Sequence, residues 1–372
     1  MSIAAPERIG AGSHELDTPC LLLDVDRLEG NVERMAGLAA AAGVRLRPHA
    51  KTHKLIEVAR RQVAAGCAGL TVAKLGEAEL FAEHGFADLL IAFPLWGAPK
   101  WERLARLATE ARVRVAADSF EVFEGISGAA RRHGVTVPVL MELDTGFGRC
   151  GVQSIEQARS LAQRVSKLPG VELIGVMSFA GQSYGAGPRE RGEIAAADAS
   201  RLLDGAAALR DAGFEVGEIS IGSTPLAANL HELPGVTEFR PGTYVFSDRD
   251  QAALGWGSLE DCALTALATI VSRPAPGRAV IDAGTKTLSS DRAQNAPGCG
   301  AVRGHPDWTL AALYEEHGLI TLPDGANPPL GTTVEIIPNH ACGALNLHDW
   351  VAVTGDGSVR EWWPVRGRGL VR

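Results

Sequence analysis

The stretch Val44-Arg45-Leu46-Arg47-Pro48-His49-Ala50-Lys51-Thr52-His53-Lys54 decides the fold. It begins as a short aliphatic run of strand character. It continues without the Gly-rich turn that a dinucleotide-binding, doubly wound sheet places after its first strand. Working outward, similar apolar runs fall at 69–73, 88–93, 112–117, 137–143, 171–179, 218–222 and 237–245. Ala/Arg/Glu/Leu stretches of helical period separate them at 55–65, 77–83, 100–110, 120–133, 155–166 and 190–212. Only the link between the last two runs is too short to read as a helix. Counting 44–50, eight strands with intervening helices over about 200 residues predict a (β/α)8 TIM-type barrel. A doubly wound sheet is the alternative it displaces.

An apolar run at 20–25 precedes a helical stretch at 26–42 and stands outside the count of eight. Past residue 255 the texture changes to Thr/Val/Ile runs at 264–271, 279–282, 333–338, 350–354 and 359–365, broken by Gly, Pro and Asp. These predict a C-terminal, mostly β domain with long loops. The expected division is an N-terminal segment 1–26 joining the β domain, a barrel over 27–255 and the β domain over 256–372.

A chain of 372 residues with 46% hydrophobic and 22% charged residues buries a large core, which excludes disorder, collagen-like repeats and small disulfide scaffolds. The net charge of −8, from 36 Lys+Arg against 44 Asp+Glu, supplies no basic field for nucleic acid. A small-molecule partner fits better. Of the 36 cations only six are lysines, at positions 51, 54, 74, 100, 167 and 286. Arg-rich codon usage accounts for the skew, yet any lysine chemistry has only these candidates. The six cysteines, at 20, 67, 150, 262, 299 and 342, are scattered without paired spacing and read as reduced thiols. No leader pattern and no apolar run of membrane-spanning length are present, so a soluble cytoplasmic protein with no membrane partner is expected.

In a barrel the chemistry lies at the C-terminal ends of the strands. The first strand ends in a crowd of polar groups at 48–54, where Lys51 is placed either as a solvated loop lysine or as an amine that bonds a cofactor aldehyde. Beyond the fifth strand, glycines on either side of Phe147 allow a tight turn that carries Arg149 to the barrel mouth. The ends of the seventh and eighth strands carry Gly222-Ser223-Thr224-Pro225 and Arg240-Pro241-Gly242-Thr243-Tyr244. Glycine with hydroxyls after these two strands is a phosphate signature of barrels. A phosphate loop facing a strand-end lysine points to pyridoxal 5′-phosphate. In the β domain, His340 and Cys342 stand two apart in a segment read as extended, so both side chains point the same way and can reach one ion.

The motifs at 48–54, 144–151, 222–225 and 240–244 resemble those of the alanine-racemase-type (fold type III) pyridoxal-phosphate enzymes, in their D-threonine aldolase and D-serine dehydratase branch. The resemblance covers nearly the whole chain. It implies that Lys51 carries the cofactor, that Arg149 hydrogen-bonds the ring's phenolic oxygen, and that Gly222, Ser223, Thr224, Gly242, Thr243 and Tyr244 cradle the phosphate. It makes His49, Gln182, Ser183 and Tyr184 substrate-facing, and His340 with Cys342 a divalent-metal pair. The thiolate favours zinc, whereas a carboxylate at that place would favour manganese. Relatives often carry a histidine near Gln182, and this departure leaves the general base unassigned. A homodimer with shared active sites is implied as well.

The activity so implied is retro-aldol cleavage of D-β-hydroxy-α-amino acids to glycine and an aldehyde. The alternative is dehydration of D-serine or D-3-hydroxyaspartate to a 2-oxo acid and ammonia. Cys342 and the Gln182–Tyr184 loop lean toward the dehydratase, while the stretch 240–248 leans toward the aldolase. Racemisation needs a second base, and Tyr314, the one tyrosine of the β domain, sits in a helix- or loop-like setting. A non-catalytic cofactor carrier built from a lone barrel would lack the β domain altogether.

Overall fold

The computed structural model of the chain describes residues 9–372, and two sheets organise it. Residues 1–8 of the expected N-terminal segment lie outside the described residues. In chain order the strands are β1 (Cys20–Asp24), β2 (Arg45–Leu46), β3 (Leu70–Val72), β4 (Asp88–Ile91), β5 (Arg112–Ala117), β6 (Val137–Glu142), β7 (Val171–Met177), β8 (Glu218–Ile221) and β9 (Glu238–Phe239). There follow β10 (Leu264–Ala275), β11 (Arg278–Ile281), β12 (Gly300–Val302), β13 (Thr309–Leu313), β14 (Gly318–Thr321), β15 (Thr333–Pro338), β16 (Trp350–Gly355) and β17 (Ser358–Pro364).

Strands β2 to β9 form the parallel sheet, in the order β2-β9-β8-β7-β6-β5-β4-β3. Its two ends meet: the Thr71 N–H donates to the Pro48 carbonyl and the Ala68 N–H to the Leu46 carbonyl, both at 2.8 Å, with a parallel bridge between His49 and Thr71. The eight runs read from the sequence are all present, and the sheet closes as a TIM-like barrel. The last run is shorter than its reading of 237–245. Pro241 has no N–H to offer the ladder, and the chain turns into a 3-10 helix at Thr243–Val245. The helices follow the predicted stretches closely, as in Phe120–His133, which Gly134 ends in the left-handed region at φ 67°. The link left unassigned between β8 and β9 is a 3-10 helix, Thr224–Glu232.

The barrel interior away from the mouth carries a buried ion network. Asp88, Glu218 and Glu238 each open a strand. The Arg47 guanidinium, 1% exposed, bonds Glu238 at 2.7 Å and Asp88 at 2.5 Å, and Arg114 bonds Asp88 and meets Glu218 at 3.2 Å. Burial works to raise the Glu238 pKa, and the adjoining Arg47 charge outweighs it, leaving the carboxyl below its ordinary value. Removing one partner leaves a buried charge uncompensated. Glu238→Ala is therefore expected to cost about 3–5 kcal/mol, read as a lowered midpoint in denaturant unfolding; an unchanged midpoint would refute the network's role.

The second sheet has nine strands in the order β11-β14-β13-β12-β15-β10-β1-β16-β17. The N-terminal run does return to it. β1 pairs antiparallel with β10 and parallel with β16, with Leu22 opposite Thr265 and Ala352. Leu16, Leu22, Leu267, Ala352 and Val359 pack as one apolar cluster there. Strands β12, β13 and β14 have no counterpart in the sequence reading. They are three to five residues long, and β13 carries a bulge between Leu310 and Ala312 that breaks its alternation. Tyr314 follows β13 in the turn to β14, with its N–H on the His317 carbonyl.

The chain divides into two compact units. One comprises Met35–Lys51, Ala59–Gly242 and Leu370–Arg372; the other comprises described residues up to Arg34, Thr52–Val58 and Thr243–Gly369. Four of the five unit boundaries fall within residues 27–255 and the fifth, Gly369/Leu370, within 256–372. Among the described residues no helix is long and apolar enough to cross a membrane.

Candidate active site

In the barrel unit, β2 gives out at Leu46 and Pro48 ends regular pairing, so the chain turns through a 3-10 helix, Ala50–Thr52, that presents Lys51. The Lys51 N–H reaches the His49 Nδ1 at 3.4 Å, which turns the half-buried His49 ring back on the lysine's own turn. The Lys51 ammonium lies 5.7 Å from the Phe179 ring centroid, and the Arg149 guanidinium lies 4.6 Å from the same centroid. Phe147 and Tyr184 extend this aromatic surface, at 5.5 and 6.5 Å from Phe179. Loops after β2, β6 and β7 thus converge on one ring. Phe179 was read only as the end of a strand, although its place at a strand end was the signal that would have singled it out.

The loop after β6 is built around Asp144. Its Oδ1 accepts the N–H groups of Gly146, Phe147 and Gly148 at 3.0, 3.0 and 3.1 Å, and the two glycines take φ of 116° and 73°. These are left-handed conformations that glycine adopts without strain. Burial works to raise the Asp144 pKa, and the backbone donors overcome it, holding the carboxyl below its usual value. Its contribution to stability is complete above the unfolded carboxylate pKa and fades as pH falls through the lower folded value. Asp144→Ala should cost about 1–3 kcal/mol. Because the loop carries Arg149, cofactor affinity should fall with stability, measurable by pyridoxal phosphate titration; unaltered affinity would detach the loop from the site.

The loops after β7 and β8 are tied to each other. Ser183 and Ser223 hold their hydroxyls 3.0 Å apart, both buried, and Ser183 also donates to the Ala180 carbonyl at 2.7 Å. Ser223 stands at φ 137°, an unusual conformation for a residue with a side chain, just before the 3-10 helix that Thr224 begins. A Cβ at Gly222 would lie 3.2 Å from the Arg240 guanidinium. Arg240 is buried and donates to the Ser220 hydroxyl at 2.5 Å and to the Ser178 carbonyl. A bare glycine, two hydroxyls and the start of a helical turn near a buried cation have the composition of a phosphate cradle. Gln182 donates to the Thr145 carbonyl at 3.3 Å, while its buried Oε1 has no partner.

Gly242 belongs to the barrel unit, and Thr243 and Tyr244 belong to the other. There Tyr244 is fully buried with its ring edge-on to Trp256, 6.5 Å between centroids, and Thr243 Oγ1 lies 3.9 Å from Cys342 Sγ.

His340 and Cys342 do not lie in an extended segment, so the alternation argument for their shared direction fails. β15 ends at Pro338, and His340 caps a short helix, Ala341–Leu345, that contains Cys342. The helical turn nonetheless keeps them together. The Cys342 thiolate charge, opposed by burial and supplemented by Asp248, pushes the His340 pKa up to about 12. The Cys342 thiol also lies 3.3 Å from Thr52 Oγ1. A ring nitrogen and a sulfur held this close are donor types that a soft divalent cation accepts. Among the described residues no group of three or more His, Cys, Asp or Glu side chains is arranged to hold a metal, so an ion here would rely on one nitrogen and one sulfur, leaving further positions open. Asp248, bonded to His340 Nδ1 at 3.2 Å, was missed in the sequence. A polar run directly after the apolar Tyr244–Phe246 was the available sign of a helix cap.

A family model described as alanine racemase, N-terminal domain, matches residues 23–250, and a second, described as putative serine dehydratase domain, matches residues 263–354. The chain is 35% identical over 379 residues to a D-threonine aldolase from Arthrobacter sp, covering 100% of this chain and 98% of that protein. It is 37% identical over 374 residues to the D-threo-3-hydroxyaspartate dehydratase of Delftia sp. (strain HT23), covering 95% and 98%. The crystal structure of D-threonine aldolase from Filomicrobium marinum superposes with a TM-score of 0.92 at 34% identity, over 100% of both chains. A D-threo-3-hydroxyaspartate dehydratase has been solved as a histidine-to-alanine mutant and, in the metal-free form, as a cysteine-to-alanine mutant two positions further on; each covers 95% of this chain, with a TM-score of 0.90.

Proposed function

We propose that this chain, which belongs to the family joining an alanine racemase N-terminal domain to a serine dehydratase domain, is a lyase of the D-threonine aldolase type that depends on pyridoxal phosphate and a divalent metal. It cleaves D-β-hydroxy-α-amino acids to glycine and an aldehyde. The observation that carries this reading is the convergence of the Lys51 ammonium and the Arg149 guanidinium on the single ring of Phe179 at the strand ends.

The residues fit the cofactor. Lys51 offers an amine for its aldehyde, Arg149 a donor for the ring oxygen, and Gly222, Ser223 and Thr224 a cradle for the phosphate, with Gly242, Thr243 and Tyr244 read as its second half. When bound, pyridoxal phosphate withdraws electrons from the bonds at the substrate Cα. Lys51 would also supply an amine able to hold or release a proton beside the substrate Cα. Phe179, Phe147 and Tyr184 would give it an aromatic wall. His49, Gln182, Ser183 and Tyr184 are read as substrate-facing. His340 and Cys342 would hold the cation, zinc by the softness of the thiolate, and a cation there supplies a Lewis acid for the β-hydroxyl. By the same family likeness the protein is read as a homodimer, and by its scattered, unpaired cysteines as cytoplasmic.

A second reading, dehydration to a 2-oxo acid and ammonia, is favoured by one observation: the His-x-Cys spacing of 340 and 342 repeats that of the two residues mutated in the solved dehydratase. Incubating the purified enzyme with D-threonine, D-serine and D-3-hydroxyaspartate separates the two. Glycine with acetaldehyde from D-threonine is the expected outcome. Ammonia with a 2-oxo acid would replace the aldolase by the dehydratase.

A further inference from the structure

We propose that Asp248 is the positioning residue of the metal pair, holding His340 in the tautomer whose Nε2 faces a divalent cation. The inference rests on the reading of His340 and Cys342 as metal ligands.

Asp248 is fully buried and its two oxygens are divided between two tasks. Oδ1 accepts the Gln251 N–H at 2.9 Å, as a cap for the helix Arg249–Ala253. That task needs only one oxygen. Oδ2 lies 3.2 Å from His340 Nδ1 and accepts the Ala341 N–H at 3.0 Å. An ionised carboxylate only accepts, so the ring nitrogen facing it carries the proton. When a cation displaces the other ring proton, the lone pair it takes is that of Nε2, the nitrogen Asp248 does not hold. By gripping Ala341 as well, the same oxygen secures the backbone between the two ligands. The preceding residue adds an independent sign: Ser247, buried, holds φ at 54°, in the left-handed region. Local preference does not explain that conformation, whereas the inward aim of Asp248 does.

The experiment uses Co²⁺ as the probe, titrated into the chelator-stripped, cofactor-loaded full chain and read through thiolate-to-cobalt absorption. Asp248→Ala should weaken Co²⁺ binding by about 10- to 100-fold while keeping the thiolate band at saturation, because Cys342 is untouched. Asp261→Ala is the structural control. It removes a carboxylate that accepts the Ser258 N–H at 2.6 Å in the same unit, and should lower the melting temperature while leaving Co²⁺ affinity unchanged. In the Zn²⁺-loaded wild type, long-range ¹⁵N spectra, with His340 assigned by its loss in His340→Gln, should place the ring proton on Nδ1. A proton on Nε2, wild-type affinity in Asp248→Ala, or affinity losses that merely track melting in both variants would overturn the proposal. Should Asp248→Ala fail to fold, the tautomer in the wild type decides alone. A wild type without any thiolate-to-cobalt band is a separate result that removes the metal reading itself.

Discussion

Lys51→Ala is expected to yield a folded but colourless protein whose turnover is lower by at least about 10³-fold. Lys51 stands on a 3-10 turn at a strand end, half-buried, and is not a member of the buried core or of the ion network around Arg47. Its loss should therefore leave the melting temperature within a few degrees of wild type. Three of the five other lysines are engaged elsewhere. Lys54 is tied to Asn346 at 2.9 Å, Lys286 is paired with Glu315 and Glu316 at 3.0 Å, and Lys74 lies over the Phe93 ring at 3.5 Å. In the wild type, borohydride should bleach the visible band and fix the cofactor to a peptide containing Lys51. A variant that keeps its colour and its activity would end the assignment of the cofactor to this lysine.

Removal of the metal is expected to be the second large effect. Chelation, or His340→Ala, should lower activity by roughly 10²- to 10⁴-fold, the equivalent of several kcal/mol of lost Lewis-acid assistance. The visible cofactor band should persist, since Lys51 does not depend on the cation. Zinc should restore the chelated wild type but not His340→Ala. Cys342→Asp tests the donor chemistry further: a hard carboxylate in place of the thiolate should move the preference toward manganese. Full activity in the presence of chelator, with metal content verified as nil, would refute the role of the pair.

Much of the fold was legible in the residues because its signals are local. The helical period between aliphatic runs marked eight strands, the glycines beside Phe147 marked a turn that glycine alone makes cheaply, and the change of texture after residue 255 marked the β domain. The same locality explains the failures. Strands β12 to β14 are too short and irregular to carry a period of their own, and they exist through their pairing with each other and with β15. The segment holding His340 and Cys342 continues a strand-like run, but Pro338 ends the ladder and a carboxylate 93 residues earlier takes the Ala341 N–H, turning it into a helix.

The sequence by itself determined which residue types stand at the ends of the barrel strands, because alternation and strand length are properties of neighbouring residues. Lys51, Arg149 and the Gly222-Ser223-Thr224 cluster were all found that way. The tertiary structure alone decided what those ends share. Closure of β2 against β3, the meeting of Lys51 and Arg149 on Phe179, and the clasp of Asp248 on His340 join residues 22 to 128 positions apart. Such pairings are set by barrel closure and burial, which act across the whole chain and leave no periodic trace in any one stretch of it.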